Sequence, residues 1–597
     1  MMKWLTKLIA YALLLFLLVI VFAYIGLQTR WGASYASQFL SKFTDYDIEV
    51  GIMGHEFSNA GEFIFQDVKL ESQNKDLSLS ARQIVIDVNW RNIFNGTAIR
   101  RLVITQGEIA AISAENSTKI PLSADILQFE NSQLQLKQAN KTIQVSGFTG
   151  GITPWHPTIN HPFGYGDFRF TTSQMSINQL AFRNVAITGK LQEKVTEISQ
   201  ASGYLNNGYI AGEGKAFTDG SINIDRLIMN KVGWQNDLTF DNLFDAINSN
   251  NPLQIKNLEL TNIDIQGKDW ALAGLSTEID QISFVRGSWS SPKSKISFNM
   301  DQLVIKEQQL DTLIGELNID TDNINIEKLS GYYNKGIFNL SGTWQRNDKI
   351  LTIADAKLAG ILYTLPENWL EFFAQPAPSW LSGISIKKFT LSQSLLMNIQ
   401  PQFPFEFTAL GANIENVDLI KQKQWGIWSG KATFNADSGT INQVLVRRPF
   451  MEIRQSGKSS AAASLTVSTD KGISKLGLLV KQEPKKIPFL LRASGTNIDL
   501  ADLNQWGWQG FPPQTLGDFD VTLQGDLLAT SLAKSTNGEL MAIPLQGKRM
   551  YRTVIKGEVT SSVESETSEP SMIQPEALST SQSPLPTELQ IPSLVAQ

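Results

Sequence analysis

The sequence predicts a mainly β protein in which an N-terminal transmembrane helix precedes a long, twisted, largely antiparallel β-sheet that curls into a groove, with a few short helices. Three observations predict this fold. One uncharged apolar run lies near the amino terminus, alternation of apolar and polar residues recurs along most of the chain, and turns rich in Asn, Asp, Gly and Ser separate the alternating segments. Helical patterns long enough to connect parallel strands are missing, which favours an antiparallel meander.

The apolar run extends from Leu8 to Leu27 and follows Lys3 and Lys7. As a helix it spans about 30 Å, the thickness of the hydrocarbon core of a bilayer. The alternative is a cleaved signal peptide, whose apolar region is only about 7–15 residues long and is followed closely by a small-residue cleavage site. The length of the run favours an uncleaved anchor. The anchor residues are expected to include Leu8, Leu14, Phe16, Val19, Phe22 and Leu27.

The charges that flank the run do not decide its orientation, because Lys3 and Lys7 on one side are matched by Arg30 and Lys42 on the other. The signal-like order of basic residues and then an apolar run favours a cytoplasmic amino terminus. We therefore expect a single-pass protein of the bacterial inner membrane with most of the chain in the periplasm. Its expected parts are a cytoplasmic segment (1–7), an anchor (8–27), a periplasmic β-rich body (28–556) and a disordered polar tail (557–597).

The tail is predicted from composition, since it has no Lys or Arg and is rich in Pro, Ser, Thr and Gln. In the body, alternation predicts strands over 48–53, 62–65, 77–88, 127–136, 258–267, 317–329, 405–420 and 518–527. Between Ala81 and Ile84 the alternation slips by one position, as at a β-bulge. Short helices are predicted over 35–43, 90–94, 241–247, 366–373 and 499–506.

Composition excludes several function classes. The 597 residues carry 51 Lys and Arg against 57 Asp and Glu, a net charge of -6, which is the wrong sign for a nucleic-acid binder. The absence of cysteine excludes disulfides, thiolate zinc sites, iron–sulfur clusters and cysteine nucleophiles. The three histidines, His55, His156 and His161, indicate neither a zinc site nor a serine triad.

The segment GYIAGEGKA (Gly208 to Ala216) does not fit a phosphate-binding loop, because its glycine spacing is wrong and Ala216 replaces the metal-binding hydroxyl. Its flanks predict a hairpin instead. No catalytic residue, metal ligand or cofactor is predicted, and we expect a protein that is not an enzyme.

The apolar faces of the strands have two interpretations that the alternation does not separate. They form either the closed core of a β-sandwich or a trough, open to solvent, that accepts acyl chains. Charging an open lining residue, as in Val521→Asp, is expected to cost little stability, whereas a charge in a closed core unfolds the domain. The expected lining residues are Ile84, Ile86, Val88, Leu258, Leu260, Leu317, Ile319, Phe519, Val521 and Leu523.

The order of these features resembles the AsmA family of bacterial inner-membrane-anchored proteins. After the anchor, YDIEVGIMGHEFSNAGEFIFQDVKL (46–70) and ARQIVIDVNWRNIFNGTAIRRLVITQGEI (81–109) are similar to the family's first strands. INQLAFRNVAITGKL (177–191) and NINIEKLSGYYNKGIFNLSGTW (323–344) resemble its hairpin elements, and IDLADLNQWGW (498–508), LGDFDVTLQGDL and NGELMAIPLQG (537–547) resemble its C-terminal portion.

The resemblance implies a repeating β-groove, related in architecture to bridge-like lipid-transfer proteins, and a role in phospholipid transport or outer-membrane biogenesis. Its expected partners are the inner membrane, phospholipid acyl chains and outer-membrane assembly components, with no nucleic acid. Two alternatives stay open. An assembly factor for outer-membrane proteins would pair its sheet edges with client strands, and an envelope glycan or lipid hydrolase would need a polar pocket with a perturbed acid or base.

Overall fold

The computed structural model describes residues 15–566, apart from 20, 22–24, 27, 56–58, 60, 92–97, 113–121, 139–140, 159–162, 179, 243–251, 286–287, 370–374, 402, 484–485 and 547–548. Its described part contains 34 strands with the pairing of a large, mostly antiparallel sheet. The predicted mainly β, largely antiparallel fold with few short helices is confirmed.

The strands have the following bounds: β1 Tyr46–Glu49, β2 Ile52–His55, β3 Glu62–Ser72, β4 Leu77–Val88, β5 Ile99–Ile112, β6 Ala124–Gln138, β7 Lys141–Thr153, β8 Gly166–Ile177, β9 Leu180–Leu191, β10 Val195–Leu205, β11 Gly208–Phe217, β12 Ile222–Asn230, β13 Gly233–Gln235, β14 Leu253–Gln266, β15 Trp270–Val285, β16 Ser288–Ile305, β17 Gln308–Ile319, β18 Asn323–Tyr333, β19 Gly336–Gln345, β20 Ile350–Ala359, β21 Leu362–Thr364, β22 Gly383–Asn398, β23 Phe405–Lys421, β24 Gln424–Trp425, β25 Lys431–Asn435, β26 Ser438–Ile441, β27 Val444–Gly457, β28 Ser460–Ser468, β29 Ile473–Lys481, β30 Pro488–Asp499, β31 Leu516–Asp526, β32 Asn537–Pro544, β33 Arg549–Lys556 and β34 Val559–Glu566.

The chain divides into two compact units. Unit 1 comprises Met1–Asp237, Asp245–Gln266 and Ala273–Ser294, and unit 2 comprises Leu238–Phe244, Gly267–Leu272 and Lys295–Gln597. In unit 1, β6 to β12 follow one another as an antiparallel meander. In unit 2, β27 to β34 do the same. Sequential antiparallel pairing is the arrangement that short turns allow.

A parallel step interrupts the meander in each unit. In unit 1, β12 and the short β13 both pair in parallel with β14. In unit 2, β20 and the short β21 pair in the same way with β22. Each step follows a tight hairpin, β10–β11 and β18–β19 respectively, so the two units repeat one pattern of elements. The hairpin at β10–β11 confirms the strand–turn–strand prediction for the GYIAGEGKA segment.

Single residues with left-handed backbone recur inside the strands. In unit 1 they include Asp67 of β3, Gln106 of β5 and Asn131 of β6, with φ of 52°, 51° and 45°. Such residues bend a strand and increase its twist. Arg82 of β4 is left out of the pairing with both β3 and β5, and Ala81 and Ile84 on either side of it are 3% and 9% exposed. The predicted slip of the alternation at this point is confirmed.

The long helix of the described chain is α1, Arg30–Phe43, which begins five residues before the predicted start at residue 35. Its N-cap is Thr29, whose hydroxyl oxygen accepts a hydrogen bond from the Gly32 amide at 3.2 Å. The helix predicted over 499–506 is confirmed in part as α2, Asp502–Gln505, and a third helix, α3 (Leu532–Ser535), is not in the prediction. The helices predicted over 90–94 and 241–247 lie largely outside the described residues, and so does the second half of the one predicted over 366–373.

No helix among the described residues is long and apolar enough to cross a membrane. Of the predicted anchor residues, Phe16 and Val19 are described, and both lie in helix with 64% and 58% of their surface exposed. Leu8, Leu14, Phe22 and Leu27 lie outside the described residues. The anchor therefore stays a prediction.

Strand pairing at the carboxyl end continues beyond Lys556, because β34 pairs along its whole length with β33. The expected boundary between the β-rich body and the tail, at residue 557, is therefore too early. Residues 567–597, the remainder of the predicted tail, lie outside the described residues.

An ion pair between a buried aspartate and a largely exposed arginine supports the sheet of unit 1. The Asp87 side chain is 5% exposed, and the Arg100 Nε donates a hydrogen bond to its Oδ2 at 2.9 Å. We expect Arg100→Met to lower the free energy of unfolding by about 2 kcal/mol, because it leaves the Asp87 carboxylate without its charged donor. Chemical denaturation measures this change. Arg82→Met, which removes an exposed contact to Gln106, is the control and should change little. An equally small effect of both variants would contradict the role given to Arg100.

Candidate functional site

An unbroken row of apolar residues crosses unit 2 on one face of its sheet. Each member is paired directly with the next, and directly paired residues project from the same face. We call this the central row; it consists of Phe338, Leu358, Leu391, Ala412, Phe434, Met451, Leu465, Leu476, Ala493, Val521 and Leu540.

A second row runs beside the central row, two residues away along most strands. It consists of Leu329, Leu340, Ala356, Phe389, Ile414, Ala432, Ile453, Ala463, Leu478, Leu491 and Leu523. The two rows together form a continuous apolar stripe that runs across the strands. The period-two alternation of the sequence produces each member, and the strand register aligns them.

Over its middle part the stripe lines an open cavity of 480 Å³ that we call the trough. Phe389, Leu391, Phe407, Ile414 and Met451 line the trough and are half-buried, so water reaches them. A second cavity of 310 Å³, lined by Leu310, Phe338 and Leu340 among others, shares Tyr333 and Leu358 with the trough. The apolar surface that can accept a ligand is therefore longer than the trough alone.

The lining of the trough contains no Asp, Glu, Lys, Arg or His. One of its polar side chains, Ser394, has partners within the protein. The Ser394 hydroxyl accepts a hydrogen bond from the Ile361 amide at 3.1 Å and donates to the Ser392 carbonyl at 3.0 Å. Such a lining can hold apolar chains but offers no charged group for a headgroup or for acid–base chemistry.

Tyr333, at the junction of the two cavities, donates a hydrogen bond from its hydroxyl to the Gln308 Oε1 at 2.5 Å. Burial, together with the neighbouring Tyr363, raises the pKa of Tyr333 to about 12. The phenol therefore stays neutral and polar at the junction without adding a charge.

The end of the stripe towards the carboxyl terminus is closed. Phe519 and Val521 are 3% and 5% exposed and belong to a buried cluster. The cluster also contains Leu500 just before α2, Leu503 of α2 and Phe511 from the loop after it. The expectation that water reaches Val521 is therefore wrong, because α2 and its loop cover that end of the apolar face. The sequence left open whether the face is a trough or a closed core, and within unit 2 both occur.

The helix that covers this closed end, α2, contains a carboxylate whose charged form is disfavoured by burial. Burial raises the pKa of Asp502, and the charges of Asp499 and Asp470 add to the effect. A carboxyl whose pKa is raised in the folded state stabilises the fold when it is protonated, below its ordinary value, and loses that contribution as the pH rises through the folded pKa. We expect Asp502→Asn to unfold at a higher temperature than the unmodified chain at neutral pH. The difference should shrink as the pH is lowered, and a difference that grows instead would contradict the assignment.

Unit 1 has an apolar row of its own. The row consists of Met53, Phe65, Ile84, Ile104, Phe129, Gly150, Phe170, Ile187, Ala201, Gly212, Leu227 and Leu258. At its amino-terminal part it belongs to a closed cluster that includes Ile84, Ile104 and Phe129. Further along, Ile187, Ala201 and Leu227 line an open cavity of 280 Å³.

The structure brings several of the predicted lining residues onto these rows. Ile84 and Leu258 belong to the row of unit 1. Val521 is the last member but one of the central row, and Leu523 ends the second row of unit 2. Ile86 pairs with Leu102, Val88 with Ile99, Leu260 with Met229, Leu317 with Ile326, Ile319 with Ile324 and Phe519 with Ala542. None of the ten predicted residues borders the three apolar cavities described above. Whether any of them contacts lipid stays a prediction.

The predicted lining residues include none of those that line the trough, although the alternation in the sequence indicates several of them. The strand predicted over 405–420 includes Phe407, Leu410, Ala412 and Ile414, all of which line it. Ala409, with a φ of 52°, switches the alternation between Phe407 and Leu410. A one-residue slip of the alternation at Ala409, of the kind predicted after Ala81, places these four side chains on one face.

The sequence of the chain was compared with those of known proteins and protein families. No family model matches the chain. Over 567 residues the chain is 28% identical to the AsmA family protein YicH of Escherichia coli (strain K12), a match that covers 94% of this chain and 99% of YicH. This chain is a homologue of an AsmA family protein. The resemblance found in the sequence is thereby confirmed.

The histidines that the structure describes belong to no group of side chains that could hold a metal ion. His55 lies in β2 with its ring 5.2 Å from that of Phe63, and His161 lies outside the described residues. Within the described residues no group of three or more His, Asp or Glu side chains is placed to hold a metal ion.

Proposed function

We propose that this protein holds phospholipid acyl chains along its apolar stripe and supports phospholipid transport between the inner and outer membranes, and hence outer-membrane biogenesis, without catalysing a reaction. The trough carries this proposal, because it is open, apolar and lined without an acidic, basic or histidine side chain. The homology to an AsmA family protein supports it.

The physical argument concerns what such a surface binds. Removing apolar surface from water stabilises a complex by about 25 cal/mol per Å², or about 0.8 kcal/mol for each methylene buried. A long acyl chain therefore gains from every half-buried side chain it covers. A charged headgroup finds no partner in the trough and stays in water. A ligand with a long apolar tail and a polar head fits both requirements.

The proposal includes a location. The apolar run 8–27 attaches the chain to the inner membrane in a single pass, and the β-rich units lie in the periplasm. The inner membrane and phospholipid acyl chains are the proposed partners, and contact with outer-membrane assembly components is part of the same proposal. The support for this location is the length of the apolar run and its resemblance to the AsmA anchor.

Photo-crosslinking tests the function in cells. A photoreactive amino acid replaces Ile414, which lines the trough, and in a second variant it replaces Asn413, the next residue along β23, which is exposed and projects from the opposite face. We expect phospholipid cross-linked to position 414, detected by mass spectrometry, and only background at position 413. Equal yields at both positions, or a polypeptide instead of phospholipid at position 414, would contradict the proposal.

A further inference from the structure

The amphipathic pattern of α1 is inverted. In a helix that packs on a core, large apolar side chains face the protein. In α1 the buried positions carry the small residues Ala33 and Ser37, at 0% and 8% exposure. The large side chains Trp31, Tyr35 and Phe39 are 77%, 63% and 64% exposed. The helix therefore presents its aromatic face away from the unit to which it belongs.

The inner face of α1 is committed to the sheet. The Ser37 hydroxyl accepts a hydrogen bond from the Val50 amide at 2.9 Å, and the Ser41 hydroxyl accepts one from the Ile48 amide at 2.8 Å. Serines four residues apart lie on one helix face, so α1 supplies acceptors to the backbone at β1. These bonds fix the rotation of α1 and leave no freedom to turn its aromatic face inward.

The outer face has the composition of a membrane interface. Trp31 and Tyr35 are one turn apart, and their rings meet edge to face at 5.6 Å. Trp and Tyr are enriched at the level of lipid headgroups because they combine an apolar ring with a polar group. The sequence of α1, RWGASYASQFLSKF, carries Arg30 and Lys42 and no acidic residue, which complements an anionic surface.

We infer that α1 is an interfacial helix whose Trp31–Tyr35 face lies in the headgroup layer of an anionic phospholipid membrane. The helical residues Leu15–Val19, whose large apolar side chains are also exposed, precede α1 by a short stretch of chain. The inference rests on the membrane attachment in the proposed function and goes beyond it by naming the element that meets the membrane surface.

The position of α1 brings the beginning of the apolar row of unit 1 close to the membrane surface. That row begins at Met53 in β2, and α1 contacts both β1 and β2. With α1 in the headgroup layer, the first strands of the row stand at the membrane surface.

A fluorescent label tests the inference, and the chain suits the experiment because it contains no cysteine. The full-length chain with Tyr35→Cys carries a polarity-sensitive fluorophore and is reconstituted into vesicles of phosphatidylethanolamine and phosphatidylglycerol. Ser34→Cys, exposed on the flank of the same helix, is the matched control, and Asn207→Cys in the β10–β11 turn is the aqueous reference. We expect a blue-shifted emission at position 35 and several-fold less quenching by aqueous iodide than at positions 34 and 207.

The outcomes separate this inference from the proposed function. If the chain integrates into the vesicles but the label at position 35 is quenched as strongly as that at position 207, α1 is not interfacial, while lipid transport is unaffected. Equal protection of positions 34 and 35 would also overturn the inference, because a single face should be shielded. Failure of the chain to integrate overturns both the inference and the membrane attachment. Protection at position 35 without phospholipid cross-linking at Ile414 supports the interfacial helix and contradicts the transport function.

Discussion

Met451→Asp is expected to abolish most phospholipid binding in unit 2 while leaving the protein folded. Met451 lies in the middle of the central row, paired with Phe434 on one side and Leu465 on the other, and all three line the trough. A carboxylate at this position interrupts the apolar stripe, and an acyl chain that crosses it would have to strip the charge of its water.

Stability should change little because Met451 is half-buried and the new carboxylate can stay hydrated in the open trough. We expect a loss of about 1 kcal/mol, which corresponds to a few degrees in the thermal midpoint. Phospholipid cross-linking at Ile414 measures the binding, and thermal unfolding measures the stability. Asn413→Asp introduces the same charge on the opposite, exposed face and should leave both unchanged. A folded Met451→Asp protein with its full phospholipid yield would remove Met451 from the lipid path.

Val521→Asp, in contrast to Met451→Asp, is expected to lower the stability strongly and to unfold the carboxyl-terminal part of unit 2. Val521 belongs to the same central row and faces the same way as Met451, but it is 5% exposed and packed in the cluster with Leu540 and Leu503. A carboxylate enclosed there has no charged partner among the members of the cluster. The free energy of unfolding should fall by about 3 kcal/mol or more. The folded state must either bury the charged carboxylate or hold the carboxyl protonated at a raised pKa, and both are costly.

Thermal and chemical unfolding measure this effect, and Met451→Asp is the matched control with the same substitution on the same row. Part of the lost stability should return at acid pH, because protonation removes the charge. A Val521→Asp protein that unfolds within a few degrees of the unmodified chain would show that α2 and its loop do not close this end of the stripe.

The sequence alone determined the class of the fold and the residue types that face its apolar side. Period-two alternation is a local property, so Ile84 and Leu258 could be assigned to an apolar face without knowing which strands pair. The short Asn- and Gly-containing turns likewise indicated hairpins such as β10–β11, because the turn geometry depends on a few neighbouring residues. The predicted AsmA resemblance drew on the order of these local elements.

Only the tertiary structure decided where the apolar face is open. Met451 and Val521 have the same local pattern, yet one lies in the trough and the other beneath α2. Exposure depends on which distant segment covers a side chain, and α2 reaches Val521 through contacts that no periodicity encodes. The sequence likewise does not predict that the aromatic face of α1 is exposed, because this depends on which face of the helix packs on the sheet. Its 3.6-residue pattern predicts an amphipathic helix, but which face turns inward is set by the hydrogen bonds of Ser37 and Ser41 to the backbone at β1.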